Sequence, residues 1–260
     1  MQEEASAPRH RSQCRLVGVG VGPGDPDLIT VKAARVLREA DVILVPSTER
    51  SASGPGRAEA IVSAACPELG ERLLRVPFSM ADRDGVGPRR AQAWEASRDA
   101  VLRAFEAGAT VVCLATVGDP SVYSTFSYLA AEVVKALPDV CVEVVPGITA
   151  MQALAASSRI PLVEGTETLA LVPVTSGMES VDLALSSADT VVLYKAGRQL
   201  PEVMEHVRAR RMDDVILIGT DIGLTGESIL RVDDTHDTAS ASYFSTILVA
   251  PARTKTGGRL

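Results

Sequence analysis

Three glycine-containing loops carry the residue types that most clearly indicate a ligand site. Each follows an apolar run typical of a β-strand, and each contains a proline. They read LVGVGVGPGDPDLIT at 16–30, VGDPSVYSTFSYL at 117–129 and VPGITA at 145–150. Glycine lets a ligand approach the main chain closely or lets the chain adopt a positive φ. Because open α/β sheets bind ligands beyond the carboxyl ends of their strands, the three loops together predict one small-molecule site.

Two polar side chains in these loops are placed to contact such a ligand. Asp119 puts a carboxylate on a rigid turn beside apolar residues, where it suits a ligand ammonium group or ribose hydroxyls. The alternative for Asp119 is a turn residue that accepts hydrogen bonds from its own backbone. Thr149 offers a hydroxyl at the start of a predicted helix, and its alternative is the N-cap of that helix.

The first loop partly resembles a dinucleotide-binding fingerprint, but two features oppose a nicotinamide cofactor. Residues 23–26, Pro-Gly-Asp-Pro, replace the direct junction between glycine and helix, so no helix N-terminus points at a pyrophosphate. The next strand ends at Pro46 and Ser47, where such a site would have an acid for the ribose. The loop also lacks the GK[ST] of a phosphate-binding P-loop. A different small molecule is therefore favoured.

Composition excludes several classes of function. The chain has 260 residues, 46% of them hydrophobic, and a net charge of −7. A globular fold is predicted, and the acidic balance argues against nucleic acid as a partner. No apolar run approaches the roughly 18 residues of a membrane span, and the first residues do not form a secretory signal. The four cysteines form no CxxC and lie apart from the histidines, which predicts a reducing, cytoplasmic setting and no metal site.

Strand-like runs alternate with helical patterns, which predicts an α/β fold with mostly parallel sheets. No element is predicted between 174 and 190, and the last strands, 228–231 and 243–250, are expected to be antiparallel. The loop after the strand at 110–116 is taken as a domain boundary. The prediction is a disordered tail at 1–13, an N-terminal α/β domain at 14–120, a C-terminal α/β domain at 121–251 and a tail at 252–260.

Taken together, the loops resemble those of the tetrapyrrole (class III) S-adenosylmethionine methyltransferases. The family's GxGPGD-x-x-L-[LI]-T loop is matched at 20–30, and its K-A-x-x-x-L-x-x-A-D-V junction between helix and strand at 32–42. Its GDP box is matched at 118–120, and its V-P-G-[IV]-[TS]-[AS] loop at 145–150. The resemblance extends over residues 15–250, nearly the whole chain.

The resemblance implies a homodimer of two α/β domains, the tetrapyrrole methylase fold, with S-adenosylmethionine in the cleft between the domains. The tetrapyrrole would lie in a trough of the N-terminal domain. The positions that match cofactor contacts are Gly22, Pro23, Gly118, Asp119, Val122, Thr149, Ala150, Lys195, Ile222 and Gly223. The positions expected near the substrate are Asp25, Ser47, Met80, Tyr123 and Thr125. Tyr123 is also the candidate catalytic residue, orienting substrate or relaying a proton, and its alternative is a core aromatic at a helix start.

Four segments resemble the precorrin-2 C20-methyltransferase branch of that family. They are PFSMADRD at 77–84, GDPSVYSTFSYL at 118–129, IPLVEG at 160–165 and YKAGR at 194–198. The implied reaction methylates precorrin-2 at C20 and gives precorrin-3A in corrin (cobalamin) biosynthesis. The uroporphyrinogen-type branch has an Asp, its proposed base, at the position of Pro46, so that mechanism does not transfer.

Other functions remain open at this point. The methyl group could instead go to cobalt-factor II, to another position of a tetrapyrrole, or to a protein or RNA. A non-catalytic S-adenosylmethionine sensor and a nicotinamide oxidoreductase are more distant alternatives. Because the implied substrate is a polycarboxylate, arginines near the N-terminal loops are candidates to bind it. They are Arg50, Arg57, Arg83, Arg89 and Arg90, and a solvated surface charge is the alternative for each.

Overall fold

A computed structural model describes residues 14–47, 54–78, 87–211, 213–232 and 245–253. The chain forms two compact units, one ending at Ile148 and the other beginning at Thr149. Each unit contains one five-stranded sheet with helices.

The first unit has five parallel strands in the order β3-β2-β4-β1-β5. These strands are β1 (Arg15–Gly20), β2 (Val42–Ser47), β3 (Leu73–Pro77), β4 (Val111–Thr116) and β5 (Cys141–Val145). The helices of this unit are α1 (Val31–Glu39), α2 (Arg57–Ala65), α3 (Pro88–Glu106) and α4 (Phe126–Ala136). Short 3₁₀ turns at Pro26–Leu28 and Pro67–Arg72 join them.

Both faces of the central strands are covered, which is why β1, β2 and β4 read as continuous apolar runs. Successive residues point to opposite faces, so Val17 and Val19 of β1 pack with α1 and α2, whereas Leu16 packs with α3 and α4. In α1, Ala33, Val36 and Leu37 form the buried stripe that its helical spacing predicts.

The domain boundary predicted at residue 120 does not match this arrangement. Both α4 and β5 follow residue 120, yet β5 pairs with β1 along its whole length and α4 shares a core with α3. The first unit therefore continues to Ile148. The sequence pattern placed the break at a loop, but strand pairing assigns the following helix and strand to the first sheet.

The second unit has a mixed sheet in the order β6-β7-β10-β8-β9. β6 and β7 are parallel, and β10 is antiparallel to both β7 and β8, as β9 is to β8. The strands are β6 (Leu169–Pro173), β7 (Thr190–Tyr194), β8 (Val215–Thr220), β9 (Ser228–Arg231) and β10 (Ser245–Ala250). The helices are α5 (Ala150–Ser158), α6 (Met178–Ser187) and α7 (Leu200–Arg210). The antiparallel ending that the sequence predicts is confirmed.

Helix α6 lies where no element was predicted. It follows Gly177, whose φ of 97° starts the helix without a side-chain cap, and it buries Val181, Ala184 and Leu185. Half of its residues, in MESVDLALSS, are serine, valine or aspartate, which have modest helix propensity, and Ser186 and Ser187 donate to carbonyls one turn back. Packing against α7 and β7, rather than propensity, determines this helix.

Residue Arg253, predicted in a disordered tail, is a structural residue. Its guanidinium donates to both carboxylate oxygens of Glu167, at 2.5 and 3.2 Å, and to the carbonyl oxygens of Pro161 and Leu162. The Glu167 side chain is only 4% exposed, and the hydrogen bond from Arg253 lowers the pKa of its carboxyl. Apart from Ala252 and Arg253, both predicted tails lie outside the described residues. None of the helices described is both long and apolar enough to span a membrane.

We expect Arg253→Met to lower the free energy of unfolding by about 3 kcal/mol, because it leaves the buried Glu167 carboxylate without its cation. Chemical denaturation measures the change. The control is Arg38→Met, which breaks an ion pair with Glu68 in which both side chains are half exposed. Such pairs contribute little, so the control should unfold like the wild type. Equal effects of the two substitutions would contradict the role of Arg253.

Candidate functional site

The first and second glycine loops meet directly. Gly22 and Gly118 form an isolated antiparallel bridge, in which the Gly118 N–H donates to the Gly22 carbonyl at 2.7 Å and the reverse bond is 3.4 Å. Both residues have a positive φ, 82° and 73°, which glycine adopts without steric cost. The loops that follow β1 and β4 are thus joined main chain to main chain.

The third loop packs against the other two through Gly20 and Gly147. A Cβ on Gly147 would lie 2.1 Å from the Gly118 carbonyl oxygen and 2.8 Å from the Gly20 Cα. A Cβ on Gly20 would lie 2.6 Å from both the Gly118 oxygen and the Gly147 nitrogen. The three backbones therefore touch, and glycine is required at these positions by packing.

Asp119 ties the second loop to the third. One carboxylate oxygen accepts hydrogen bonds from the N–H, at 2.7 Å, and from the hydroxyl of Ser121, and the other accepts from the Gly147 N–H at 2.8 Å. The residue is 8% exposed. Burial by itself raises the pKa of this carboxyl, but the bonds from Ser121 and Gly147 outweigh it and lower the pKa. The sequence left two roles open for this carboxylate, a contact to the ligand and a turn residue that accepts hydrogen bonds from the backbone. In the structure it accepts hydrogen bonds from the protein itself, within its own turn and from the third loop.

The first two of these loops follow neighbouring strands of the first sheet, β1 and β4, whose connections run in opposite directions along the sheet. The connection from β1 leads to β2, on one side, whereas the connection from β4 leads to β5, on the other. The helix that follows β1 lies on one face of the sheet and the helix that follows β4 lies on the other, which leaves a crevice at the carboxyl ends of these neighbouring strands, and ligands of open α/β sheets bind there. The glycine loops begin at that crevice, so the position predicted for the ligand site is the one that the topology favours.

Predicted substrate residues of the first unit have differing environments. Asp25 accepts a hydrogen bond from the Asp27 N–H at 2.9 Å and caps the turn that follows. Ser47 is the last residue of β2, and Thr125 immediately precedes α4, where its side chain makes no capping bond. Met80 lies outside the described residues.

Tyr123 has the backbone conformation most unusual for its residue type in the second loop. Its φ is 50°, and the side chain is 45% exposed. Desolvation raises the pKa of the phenol, so the hydroxyl stays protonated and able to donate at neutral pH. A left-handed non-glycine residue costs about 1–2 kcal/mol, and such residues concentrate at functional sites. Tyr123 is therefore not the core aromatic that the sequence allowed as its alternative role.

In the second unit, the start of α5 lies at the carboxyl edge of the sheet. The Met151 N–H donates to the Tyr194 hydroxyl at 3.0 Å, and Tyr194 is the last residue of β7. Thr149 caps α5 in a reciprocal box with Gln152, so its N-cap role is confirmed. Ala150 is the first residue of this helix.

Two strained residues follow the strands at the same edge. Lys195 comes directly after β7 with φ 62°, and Asp221 comes directly after β8 with φ 51°. Next to Asp221, the Ile222 side chain is buried and lies over Gly219. A Cβ added to Gly219 would lie 2.6 Å from the Ile222 Cδ1. The structure thus brings the predicted residues Thr149, Ala150, Lys195, Ile222 and Gly223 to one edge of the second sheet.

Comparison with known proteins agrees with this arrangement. The family Tetrapyrrole (Corrin/Porphyrin) Methylases matches residues 15–234. The chain belongs to this family. The resemblance inferred from the loop motifs is therefore confirmed.

The relatives and structural neighbours of this methylase include methyltransferases with named substrates. It is 34% identical over 239 residues to a precorrin-2 C(20)-methyltransferase from Sinorhizobium sp, covering 90% of this chain and 94% of the other. It is 31% identical to a cobalt-precorrin-2 C(20)-methyltransferase from Salmonella typhimurium, covering 90% and 95%. Its fold matches the X-ray structure of a cobalamin biosynthetic enzyme, cobalt precorrin-4 methyltransferase, with a TM-score of 0.70 and 24% identity over 95% of this chain and 98% of the other.

Three residues of this methylase's candidate site were missed by sequence reasoning. Ser121 follows the aspartate by two positions, a spacing typical of an Asx turn, so a signal for it exists. Tyr194 was noted only as part of the YKAGR segment, because its partner Met151 lies 43 positions away. Glu227 accepts the Gly223 N–H at 2.6 Å, which occupies the backbone donor that had been predicted to contact the cofactor.

We expect Gly147→Ala to destabilise the methylase by about 3 kcal/mol, because its Cβ would collide with main-chain atoms that cannot move independently. Unfolding in urea measures the effect. Gly70→Ala is the matched control, since a Cβ added at that position has no neighbouring atom within 4 Å. A tolerated Gly147→Ala would show that the three loops are not rigidly packed.

We expect Asp119→Asn to lower the free energy of unfolding by about 2 kcal/mol at neutral pH, because an amide cannot accept from Ser121 and Gly147 equally well. The folded carboxyl has the lower pKa, so this contribution is fully present above the unfolded pKa of about 3.9 and is lost as pH falls through the folded pKa. Denaturant unfolding of both proteins over a pH series tests this. Ser121→Ala, which removes one of the bonds, should cost less. A difference that already shrinks near neutral pH would contradict the lowered pKa.

Proposed function

We propose that this methylase transfers a methyl group from S-adenosylmethionine to C20 of precorrin-2, giving S-adenosylhomocysteine, a proton and precorrin-3A in cobalamin biosynthesis. The observation that carries the proposal is the 34% identity to a precorrin-2 C(20)-methyltransferase over nearly the full length of both chains. The four segments that resemble the same branch add support, because most of their residues lie outside the loops shared by the whole family.

The cobalt-containing substrate is the second candidate. It is favoured by the 31% identity to a cobalt-precorrin-2 C(20)-methyltransferase, which also covers nearly both chains. The two substrates have the same carbon to methylate and differ in the metal within the macrocycle. A methyl-transfer assay therefore has to include both.

The residues of the candidate site fit S-adenosylmethionine as the methyl donor. In the first unit, the proposed contacts are Gly22, Pro23, Gly118 and Val122, around the crevice between β1 and β4, with Asp119 holding these loops in place. In the second unit, they are Thr149, Ala150, Lys195, Ile222 and Gly223. Lys195 and Asp221, each directly after a strand, and Tyr123, in the loop between β4 and α4, have strained conformations that support a ligand at these edges, since strain of this kind persists where function requires it.

Bound S-adenosylmethionine supplies an electrophilic methyl group, so the protein has no need for a covalent intermediate. The contribution of the chain is then to orient the reactants, and orientation alone is worth several orders of magnitude in rate. Asp119 acts at one remove, because its carboxylate fixes the loops rather than facing outward. We propose that the loops it fixes hold the methyl donor.

Tyr123 suits the role of hydrogen-bond donor to the substrate. A tyrosine phenol is neutral at pH 7, and the raised pKa of Tyr123 makes its ionisation harder still, which disfavours a role as a base and favours donation to a substrate oxygen or nitrogen. Asp25, Ser47, Met80 and Thr125 remain proposed substrate contacts. We further propose that the enzyme acts in the cytoplasm and that it is a homodimer. Sedimentation analysis of the purified protein would test the dimer.

The deciding experiment incubates the protein with methyl-labelled S-adenosylmethionine and either precorrin-2 or cobalt-precorrin-2. We expect label at C20 of a trimethylated product, with precorrin-2 the better substrate by kcat/KM. Transfer to neither tetrapyrrole would refute the proposal, and preference for the cobalt form would establish the second candidate.

For the residue roles, we expect Tyr123→Phe to lower kcat about tenfold while the KM for S-adenosylmethionine stays unchanged, because one hydrogen bond to the substrate is lost. Cys141→Ser is the control, an exposed position at the start of β5 and so at the opposite edge of the sheet. Wild-type turnover by Tyr123→Phe would remove Tyr123 from the reaction.

A further inference from the structure

An aromatic pair with a cation above it lies between α3 and α4. The rings of Trp94 and Tyr128 stack with centroids 4.6 Å apart and planes 15° apart. The guanidinium carbon of Arg90 lies 5.0 Å from the Trp94 centroid and 5.5 Å from that of Tyr128. Both distances are within the range of a cation–π interaction. The three side chains form what we call the Arg90 platform.

Within the described part of the chain, the Arg90 guanidinium lacks the carboxylate partner that other arginines of the first unit have. Arg38, Arg75 and Arg98 each form an ion pair with an acid. By contrast, Nε of Arg90 is buried and has no hydrogen-bond partner among the described residues. A buried guanidinium N–H without an acceptor costs free energy that an anionic ligand would recover.

The position of Arg90 in its helix adds to this cost. It lies in the first turn of α3, which contains no acidic residue. A cation at a helix N-terminus is disfavoured by the helix dipole. The stability of α3 therefore does not explain this arginine, and the cation–π contacts hold it in place without neutralising it.

An apolar cavity adjoins the platform and shares Trp94 with it. Its wall includes Pro46 at the end of β2, Phe78 just after β3, Leu114 of β4 and Leu129 of α4. The cavity thus lies towards the carboxyl ends of three parallel strands, the edge at which such sheets bind ligands. With a volume of about 20 Å³ the cavity has room for little more than one water molecule, so it is not itself a ligand chamber, and the guanidinium is the feature here that suits a carboxylate.

We propose that the Arg90 platform binds a carboxylate of the tetrapyrrole substrate. Arginine binds carboxylates through two parallel N–H bonds, and stacking on the rings fixes the plane of its fork. This inference rests on the proposed function, because it names how that substrate is held. Of the five arginines suggested by the sequence, Arg50 and Arg83 lie outside the described residues, Arg89 is exposed and Arg57 is the first residue of α2. Arg90 is the one shown stacked on aromatic rings with a buried N–H that has no acceptor among the described residues.

The first test measures binding of uroporphyrin III, a stable polycarboxylate tetrapyrrole, to the purified protein. Trp94 is the only tryptophan of the chain, so quenching of its emission reports binding without a label. We expect Arg90→Gln to weaken binding about tenfold or more, as for a lost hydrogen bond to a charged group, and Arg90→Lys to weaken it less. Arg103→Gln, an exposed arginine in the last turn of the same helix, is the control and should bind like the wild type.

The second test separates this inference from the proposed function. In the methyl-transfer assay, Arg90→Gln should raise the KM for precorrin-2 about tenfold and leave the KM for S-adenosylmethionine unchanged, because it removes substrate binding alone. Equal affinities of Arg90→Gln and Arg103→Gln for uroporphyrin III, with both variants folded by circular dichroism, would overturn the carboxylate site. If binding depends on Arg90 but the wild type methylates no tetrapyrrole, the carboxylate site stands and the proposed reaction fails.

Discussion

One carboxylate determines the geometry on which the candidate site depends. Asp119 accepts three hydrogen bonds, two from its own turn and one from the N–H of Gly147. The turn alone would fix a loop, but the bond to Gly147 joins two loops that belong to different strands. Because Gly20, Gly118 and Gly147 are already in main-chain contact, neither loop can move without breaking a buried charged hydrogen bond or opening the glycine packing. A site built in this way is rigid before any ligand arrives, and rigidity of the protein is what a positioning mechanism requires.

The first sheet shows how two different ligand environments arise from one topology. At the crevice between β1 and β4, the backbone is bare glycine and the groups presented are main-chain atoms and short polar side chains. Beyond β2 and β3, α3 and α4 cover the strand ends with aromatic and aliphatic residues and one guanidinium. The first environment is polar and open to main-chain contacts, whereas the second is apolar with a cation beside it. Parallel strands bring both environments to the same edge of the sheet.

The sequence predicted what depends on local pattern and missed what depends on distant contacts. Strands β1, β2 and β4 were predictable because burial on both faces leaves uninterrupted apolar runs, and α1 because its apolar residues repeat at helical spacing. Helix α6 was missed because its residues form a helix only when packed against α7 and β7. The boundary at 120 was wrong because nothing near that residue reveals that β5 pairs with β1. The three loops were correctly identified as a group, but the partner of Asp119 lies 28 positions away and no spacing rule points to it.

Strand β1 is synthesised before both of its neighbours, β4 and β5, which come much later in the chain. Its Arg15 forms an ion pair with Glu143, 128 positions on. While the chain emerges from the ribosome, this apolar central strand of the first unit must therefore wait with both hydrogen-bonding edges unpaired. Non-local pairing of this kind slows folding, and exposed strand edges promote association with other chains. The glycines of β1 that allow close packing at the crevice also weaken its strand propensity, which reduces its tendency to pair wrongly during that interval.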